Sequence, residues 1–215
     1  MSHRKPAIPL GPREAGVDVI LVRHGETCWN EKGRYQGWED PPLSDRGRST
    51  ARGLSRWLPG RLPESFVLWS SDLQRSVGTA RLALGREPRT DTRLRELHFG
   101  AFAGSTYEEN LARFGRRFEQ WVEHRGHPTP PDGESLESFR DRVHAWLDEV
   151  RREAQPAVAV THSGVIRTLL EPFTKEEHWP GPGEAIALRL AATSQPVVEH
   201  WAPPSTGTLQ HVPAR

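Results

Sequence analysis

LVRHGETCWN, Leu21 to Asn30, decides how the rest of the chain is read. Val17 and the run Val19 to Val22 lead into it as an apolar stretch of buried-strand character, which stops at Arg23-His24-Gly25. A strand that ends in a cation, an imidazole and a glycine brings reactive side chains to a point where the backbone can also approach an anion. That is a phosphate-handling arrangement. Arg75, Glu96 and His162, further along, add a second cation, a carboxylate and a second imidazole.

Outward from that stretch, Gly and Pro punctuate a long loop over 24–43 that is expected to hold a helical turn. Ser44 then predicts an N-cap, followed by a helix with Ala51, Leu54 and Leu58 as its apolar stripe to Pro59. FVLWSS from Phe66 predicts a second strand, residues 73–84 a helix, and Arg89 to Asp91 a short strand leading into RELHFG. Tyr107 to Arg125 reads as one helix with Leu111, Phe114, Phe118 and Trp121 on one side, broken by HPTPPDG. Ser135 to Arg152 places Leu136, Phe139, Val143, Leu147 and Val150 at helical spacing. Ala157 to Val160 reads as a buried strand ending at Thr161-His162, with a helix from Gly164. Ala185 to Leu190 and Val197 to Trp201 read as a terminal hairpin.

Strands alternating with helices predict an α/β fold, a three-layer α/β/α sandwich with a mostly parallel central sheet and a small helical lid insertion. The expected organisation is a disordered leader over 1–16, one domain over 17–202 with its lid at about 103–131, and a loose tail over 203–215. Ligands of such sheets bind beyond the carboxyl ends of the strands. Arg23 and His24, Arg75, Glu96 and His162 each follow a different predicted strand, so they are expected to converge there.

Composition narrows the function classes. The 215 residues carry 29 Lys and Arg against 28 Asp and Glu, a net charge of +1. No overall field draws the chain to nucleic acid or to a membrane surface, and any anion preference has to be local. Nearly all the positive charge is arginine, whose fork suits bidentate anion binding where a motif places it; elsewhere it reads as surface composition. One cysteine, Cys28, rules out an internal disulfide and fits a reducing cytoplasm. No apolar run is long enough for a transmembrane helix. The start, MSHRKPAIPLGPREAG, lacks the apolar segment of a signal peptide. No oligomeric state follows from the sequence.

RHGET at Arg23, GWEDPPLSDRG from Gly37, SSDLQRS from Ser70, RELHFGAFAG from Arg95 and THSG from Thr161 resemble, in order, the motifs of the histidine phosphatase superfamily, also called the phosphoglycerate mutase-like family. The resemblance covers about residues 17 to 170. It implies that His24 is the nucleophile and forms a phosphohistidine that water hydrolyses. The residue types agree: cations at Arg23 and Arg75 disfavour imidazolium and leave a lone pair free at neutral pH. Arg23 and Arg75 are expected to clamp the phosphate oxygens. His162 is expected to donate to the phosphoryl group as a hydrogen-bond donor or cation, aided by the backbone N–H groups of Ser163 and Gly164. Glu96 is read as the general acid and base, with Leu97 and Phe99 to desolvate it and Asp91 and Glu109 as rivals. Thr27, Asn30, Gln36 and Gly37 match positions that line the family's substrate pocket, and Trp29 and Trp38 could wall it. The mechanism needs no metal and no organic cofactor, and the expected partner is a small phosphomonoester.

Three other readings are weaker. Cys28 to Arg34 has the C-x5-R spacing of cysteine phosphatases, but Trp29 and Glu31 stand where a phosphate nest needs small residues. The ten histidines raise a metal hydrolase, yet no HExxH or paired-cysteine spacing occurs and arginine adjoins the proposed ligand. A non-catalytic binding protein is disfavoured because all the catalytic positions are filled. Within the family the contest is phosphatase against phosphoglycerate mutase. A mutase must keep water from the phosphohistidine, which takes an extensive cover. Only 66 positions separate Glu96 from His162, and LHFGAFAG is closer to the phosphatase branch, apart from Ala103 where that branch often has glutamate. The phosphatase reading is the expectation.

Overall fold

The structure is a computed structural model and describes residues 16–124, 126–174, 179–191 and 197–201. The expected leader and loose tail therefore lie outside the described residues, except Gly16. The chain runs β1 (Gly16–Arg23), α1 (Asp45–Trp57), β2 (Val67–Ser70), α2 (Gln74–Leu84), β3 (Arg89–Thr90), α3 (Tyr107–Phe114), α4 (Arg116–Glu123), α5 (Leu136–Glu153), β4 (Ala157–Thr161), α6 (Ser163–Leu170), β5 (Ala185–Ala191) and β6 (Val197–Trp201). Single 3₁₀ turns fill Pro59–Arg61, Thr92–Leu94 and Gly100–Phe102.

The six strands form one sheet in the order β3-β2-β4-β1-β5-β6. β1 to β4 are mutually parallel, and β5 and β6 form an antiparallel hairpin on the β1 side. Successive residues of a strand face opposite sides of a sheet. Val19 and Leu21 accordingly enter one core with Trp146 and Leu147 of α5 and Ile166 and Leu169 of α6. Ile20 and Val22 enter the other, with Leu54 of α1 and Ala80 and Ala83 of α2. β4 is buried along its whole length, as a central parallel strand covered on both faces must be. The three-layer sandwich with a mostly parallel sheet is the fold observed.

Two local rules set helix ends, the first as the sequence implies. Ser44 caps α1 by accepting from the Gly47 N–H at 3.0 Å. Gly85 closes α2 in the left-handed conformation at φ 66°. The single helix expected over 107–125 is instead two, because Gly115 adopts φ 54° and ψ −134° between them. That backbone is open to glycine and strained for other residues, so it ends α3 and lets α4 leave in a new direction. Phe118 and Trp121 of α4 are thereby buried in the main core beside Phe102. No described helix is long and apolar enough to cross a membrane.

Candidate active site

β1 and β4 lie side by side in parallel with Arg23 paired to Thr161, so the next residue of each, His24 and His162, leaves the sheet at the same edge. His24 N–H still donates to Thr161 O at 2.9 Å. The two imidazoles end 5.1 Å apart, centroid to centroid. β2 flanks β4 on its far side, Ser71 N–H donates to Val160 O, and α2 starts three residues later with Arg75 in its first turn. His24, Arg75 and His162 are 3%, 1% and 0% exposed, so the cluster is buried chemistry and not a surface ion pair.

Hydrogen bonds fix the imidazole tautomers. His24 Nδ1 lies 2.7 Å from Gly25 O, and a carbonyl only accepts, so Nδ1 carries the proton and the Nε2 lone pair is free. Burial, then the charges of Arg75 and Arg23, hold the His24 pKa well below its usual value. His162 Nδ1 lies 3.3 Å from Arg75 Nη2, which only donates, and Nε2 lies 3.4 Å from Ser76 Oγ. Its N–H is therefore on Nε2. Burial first, then the charges of Arg75, Arg23 and Arg142, hold the His162 pKa well below its usual value as well.

Arg75 is held by the loop that follows β1. Its Nη2 donates to Gly37 O at 2.7 Å and its Nη1 to Glu39 O at 2.6 Å. Gly37 sits at φ 55°, where an added Cβ would press on the Phe99 backbone nitrogen at 2.8 Å. Asp40 receives the N–H groups of Gln74 and Arg75 at the start of α2 and approaches Arg75 Nη1 at 3.4 Å. Desolvation lowers the Arg75 guanidinium to about 10 against the pull of Asp40 and Glu96. Arg23 Nη1 donates to Pro180 O at 2.6 Å, and burial lowers its pKa while Glu96 and Glu184 oppose the shift.

Three buried atoms of this cluster, Arg23 Nε, Arg75 Nε and Ser163 Oγ, have no hydrogen-bond partner among the described residues. Buried donors on guanidinium groups are costly unless an acceptor meets them, and an anion supplies acceptors and charge together.

Glu96 comes to the same place from the loop after β3. Its Oε2 accepts from Gly164 N–H at 3.1 Å and its Oε1 from Leu97 N–H at 2.9 Å. The Gly164 N–H expected to assist His162 is thus taken by Glu96. Leu97 and Phe99 pack into the aromatic core with Tyr35 and Trp121. The rivals are engaged elsewhere: Asp91 caps the following turn and binds Arg93, and Glu109 closes a capping box on α3 and binds Arg34.

Thr27, Asn30 and Gln36 form one hydrogen-bonded group, Thr27 Oγ1 standing 3.0 Å from both side-chain oxygens. Trp38 is partly exposed and donates Nε1 to Glu96 O at 2.7 Å, while Trp29 lies against Gly104. Sequence reasoning passed over Asp40, Ser76 and Thr79, whose hydroxyl accepts from Gly25 N–H at 2.9 Å. Ser76 and Thr79 lie within four positions of Arg75, and Asp40 lies inside GWEDPPLSDRG, which were the available signals. Among the described residues no three His, Cys, Asp or Glu side chains gather as a metal site.

Known proteins share this chain's sequence pattern and fold. The chain is 37% identical to phosphoserine phosphatase 1 of Hydrogenobacter thermophilus over 158 residues, covering 71% of this chain and 74% of that one. It is 33% identical to the glucosyl-3-phosphoglycerate phosphatase of Mycolicibacterium vanbaalenii, covering 80% and 83%. The crystal structure of a phosphoglycerate mutase from Thermus thermophilus superposes with TM-score 0.69 at 40% identity, over 81% of this chain and 99% of that one. The model of the histidine phosphatase superfamily, branch 1, matches residues 19–195, and with two buried imidazoles between paired guanidinium groups inside that span, the chain belongs to this superfamily.

Proposed function

We propose that the chain is a metal-independent phosphomonoester hydrolase whose phosphoryl group passes through His24. The observation that carries this is the neutral, Nε2-free imidazole of His24 lying between two arginines whose buried Nε donors lack acceptors. His24 Nε2 attacks phosphorus and the P–O ester bond breaks, with Glu96 giving its proton to the departing oxygen. Water then attacks phosphorus, the P–N bond breaks, and Glu96 takes the water proton. Inorganic phosphate and neutral His24 result. Arg23, Arg75 and the hydroxyl of Ser163 stabilise the equatorial oxygens, joined by His162 when its Nε2–H turns from Ser76 Oγ to the bound phosphoryl group. Thr27, Asn30, Gln36 and Gly37 shape the pocket floor. Residues 17–202 act as one catalytic unit with about 103–131 as its cover, in the cytoplasm, where a single free cysteine persists.

The substrate is a small phosphorylated metabolite. Phosphoserine and glucosyl-3-phosphoglycerate, the compounds in two relatives' names, both place phosphate on the third carbon of a carboxylate and differ at the second, and 3-phosphoglycerate shares that frame. They form the first panel. Release of inorganic phosphate from one of them, lost in His24→Ala by about 1,000-fold or more and unaffected by excess chelator, is the expected result. Acid-labile label trapped on His24 during turnover completes the test. If His24→Ala keeps full activity, the reading is wrong. The likeness to a mutase structure favours one second reading, phosphoryl transfer between hydroxyls of phosphoglycerate. Efficient isomerisation of 3-phosphoglycerate, primed by bisphosphate, would replace hydrolysis as the main activity.

A further inference from the structure

Residues 93 to 98, which carry Glu96, include no strand, so their carbonyls must find partners outside a ladder. Thr161 Oγ1 donates to Leu94 O at 2.8 Å. Arg142, on α5, serves three more: Nη1 donates to Arg93 O at 2.8 Å and Arg95 O at 2.7 Å, and Nη2 to Glu96 O at 2.9 Å. The same guanidinium grips Glu134, Nε to Oε1 at 2.7 Å and Nη2 to Oε2 at 2.8 Å. All five N–H donors of the side chain are engaged. Glu134 holds the far side of the segment, accepting from His98 N–H at 3.3 Å through Oε2 and donating its own N–H to His98 O at 3.0 Å. The pair is only 16% and 13% exposed, so solvent screens it little.

We propose that Arg142, braced by Glu134, is a positioning residue that sets the reach of the Glu96 carboxylate and so governs proton delivery to the leaving oxygen. The proposal rests on the reading of Glu96 as general acid. Proton transfer needs the carboxylate within about 2.6–3.2 Å of the leaving oxygen, and a misplacement of roughly 1 Å can cost about 100-fold. Three carbonyls of one loop held by one planar fork, with Trp38 Nε1 as a second donor to Glu96 O, define that placement. A lysine ammonium has three donors at one point and cannot span them while also gripping both oxygens of Glu134.

The test compares kcat/KM on two esters of the same phosphoryl group: an alkyl phosphate from the substrate panel, and 2,4-dinitrophenyl phosphate, whose leaving oxygen departs without a proton. This parameter reports only the steps through leaving-group departure. An unfolded fraction lowers both values alike, so their ratio reads positioning and not folding. Glu96→Gln sets the scale, with a large loss on the alkyl ester and a small one on the aryl ester. Arg142→Lys is expected to lose about 10- to 100-fold on the alkyl ester and less than about threefold on the aryl ester. Glu134→Gln should shift the ratio the same way by a smaller factor, and it decides the matter alone if Arg142→Lys gives no soluble protein. A shifted ratio in Glu96→Gln with an unchanged one in both other variants overturns the role of Arg142 and leaves Glu96 as the acid. An unchanged ratio in Glu96→Gln itself removes the acid role of Glu96 and this proposal with it.

Discussion

His24 and His162 are two imidazoles that the fold keeps neutral by burying them and surrounding them with guanidinium groups, and this has a cost that pH exposes. Their native pKa values lie well below the ordinary 6.5, so below that pH the unfolded chain binds protons that the folded chain refuses. Their linkage leaves stability level above about pH 7 and lowers it as pH drops through 6.5 towards the depressed native values. Each contributes a slope of up to about 1.4 kcal/mol per pH unit in that window. Urea unfolding at pH 7.5 and 5.5 checks the sign: His162→Asn should lose less stability than the parent chain between the two. Equal losses would mean that the imidazole titrates in the native state as it does in the unfolded chain, and a larger loss in His162→Asn that it is already protonated there. The same neutrality keeps the His24 lone pair available for attack, so the electrostatic arrangement that costs stability in acid serves the chemistry.

α6 shows how an element sets a site. It begins at Ser163, one residue after β4, with His162 as its N-cap, and the Gly164 N–H of its first turn donates to Glu96. A Cβ at Gly164 would overlap Glu96 Oε1, the far end of a flexible side chain that can move aside. Gly164→Ala is therefore expected to keep the fold. Its melting temperature should hold or rise, since alanine favours a helix over glycine by up to about 1 kcal/mol. Its kcat/KM on an alkyl phosphate should fall by about tenfold or more because the carboxylate is displaced. Unchanged kinetics would show that the contact with Gly164 does not fix the acid. α3 and α4 illustrate the opposite case, where the apolar positions were read correctly and the break was not. Leu111, Phe114, Phe118 and Trp121 all face the core, but the left-handed turn at Gly115 redirects the second half. A glycine inside a helical pattern is tolerated often enough that only packing reveals which one ends a helix.

Across the whole molecule, β2 and α5 are joined by Trp69 and Trp146, whose rings meet edge to face at 5.9 Å and are both essentially inaccessible. Trp146→Ala leaves a cavity in the larger of the two cores and should cost roughly 3–5 kcal/mol in urea unfolding. Arg142 and Glu134 lie on and just before the same helix, so loosening α5 should also relax the Glu96 loop. Activity on alkyl phosphates is then expected to fall at temperatures below the unfolding midpoint. A loss under about 1 kcal/mol would mean that the surrounding residues close the space.

The sequence by itself determined the sheet, because strand-forming runs ending in Arg23-His24 and Thr161-His162 carry a local hydrophobic pattern that only a covered parallel sheet satisfies. It also marked out His24, Arg75, Glu96 and His162, because ordered motifs put reactive residues just past predicted strands. Only the tertiary structure decided which nitrogen of each imidazole holds the proton, that Gly164 serves Glu96, and that Arg142 and Glu134 brace its loop. Those are contacts between residues that nothing local links, with no periodicity or spacing to betray them. They depend on which carbonyl or carboxylate the folded chain brings within about 3 Å of a donor.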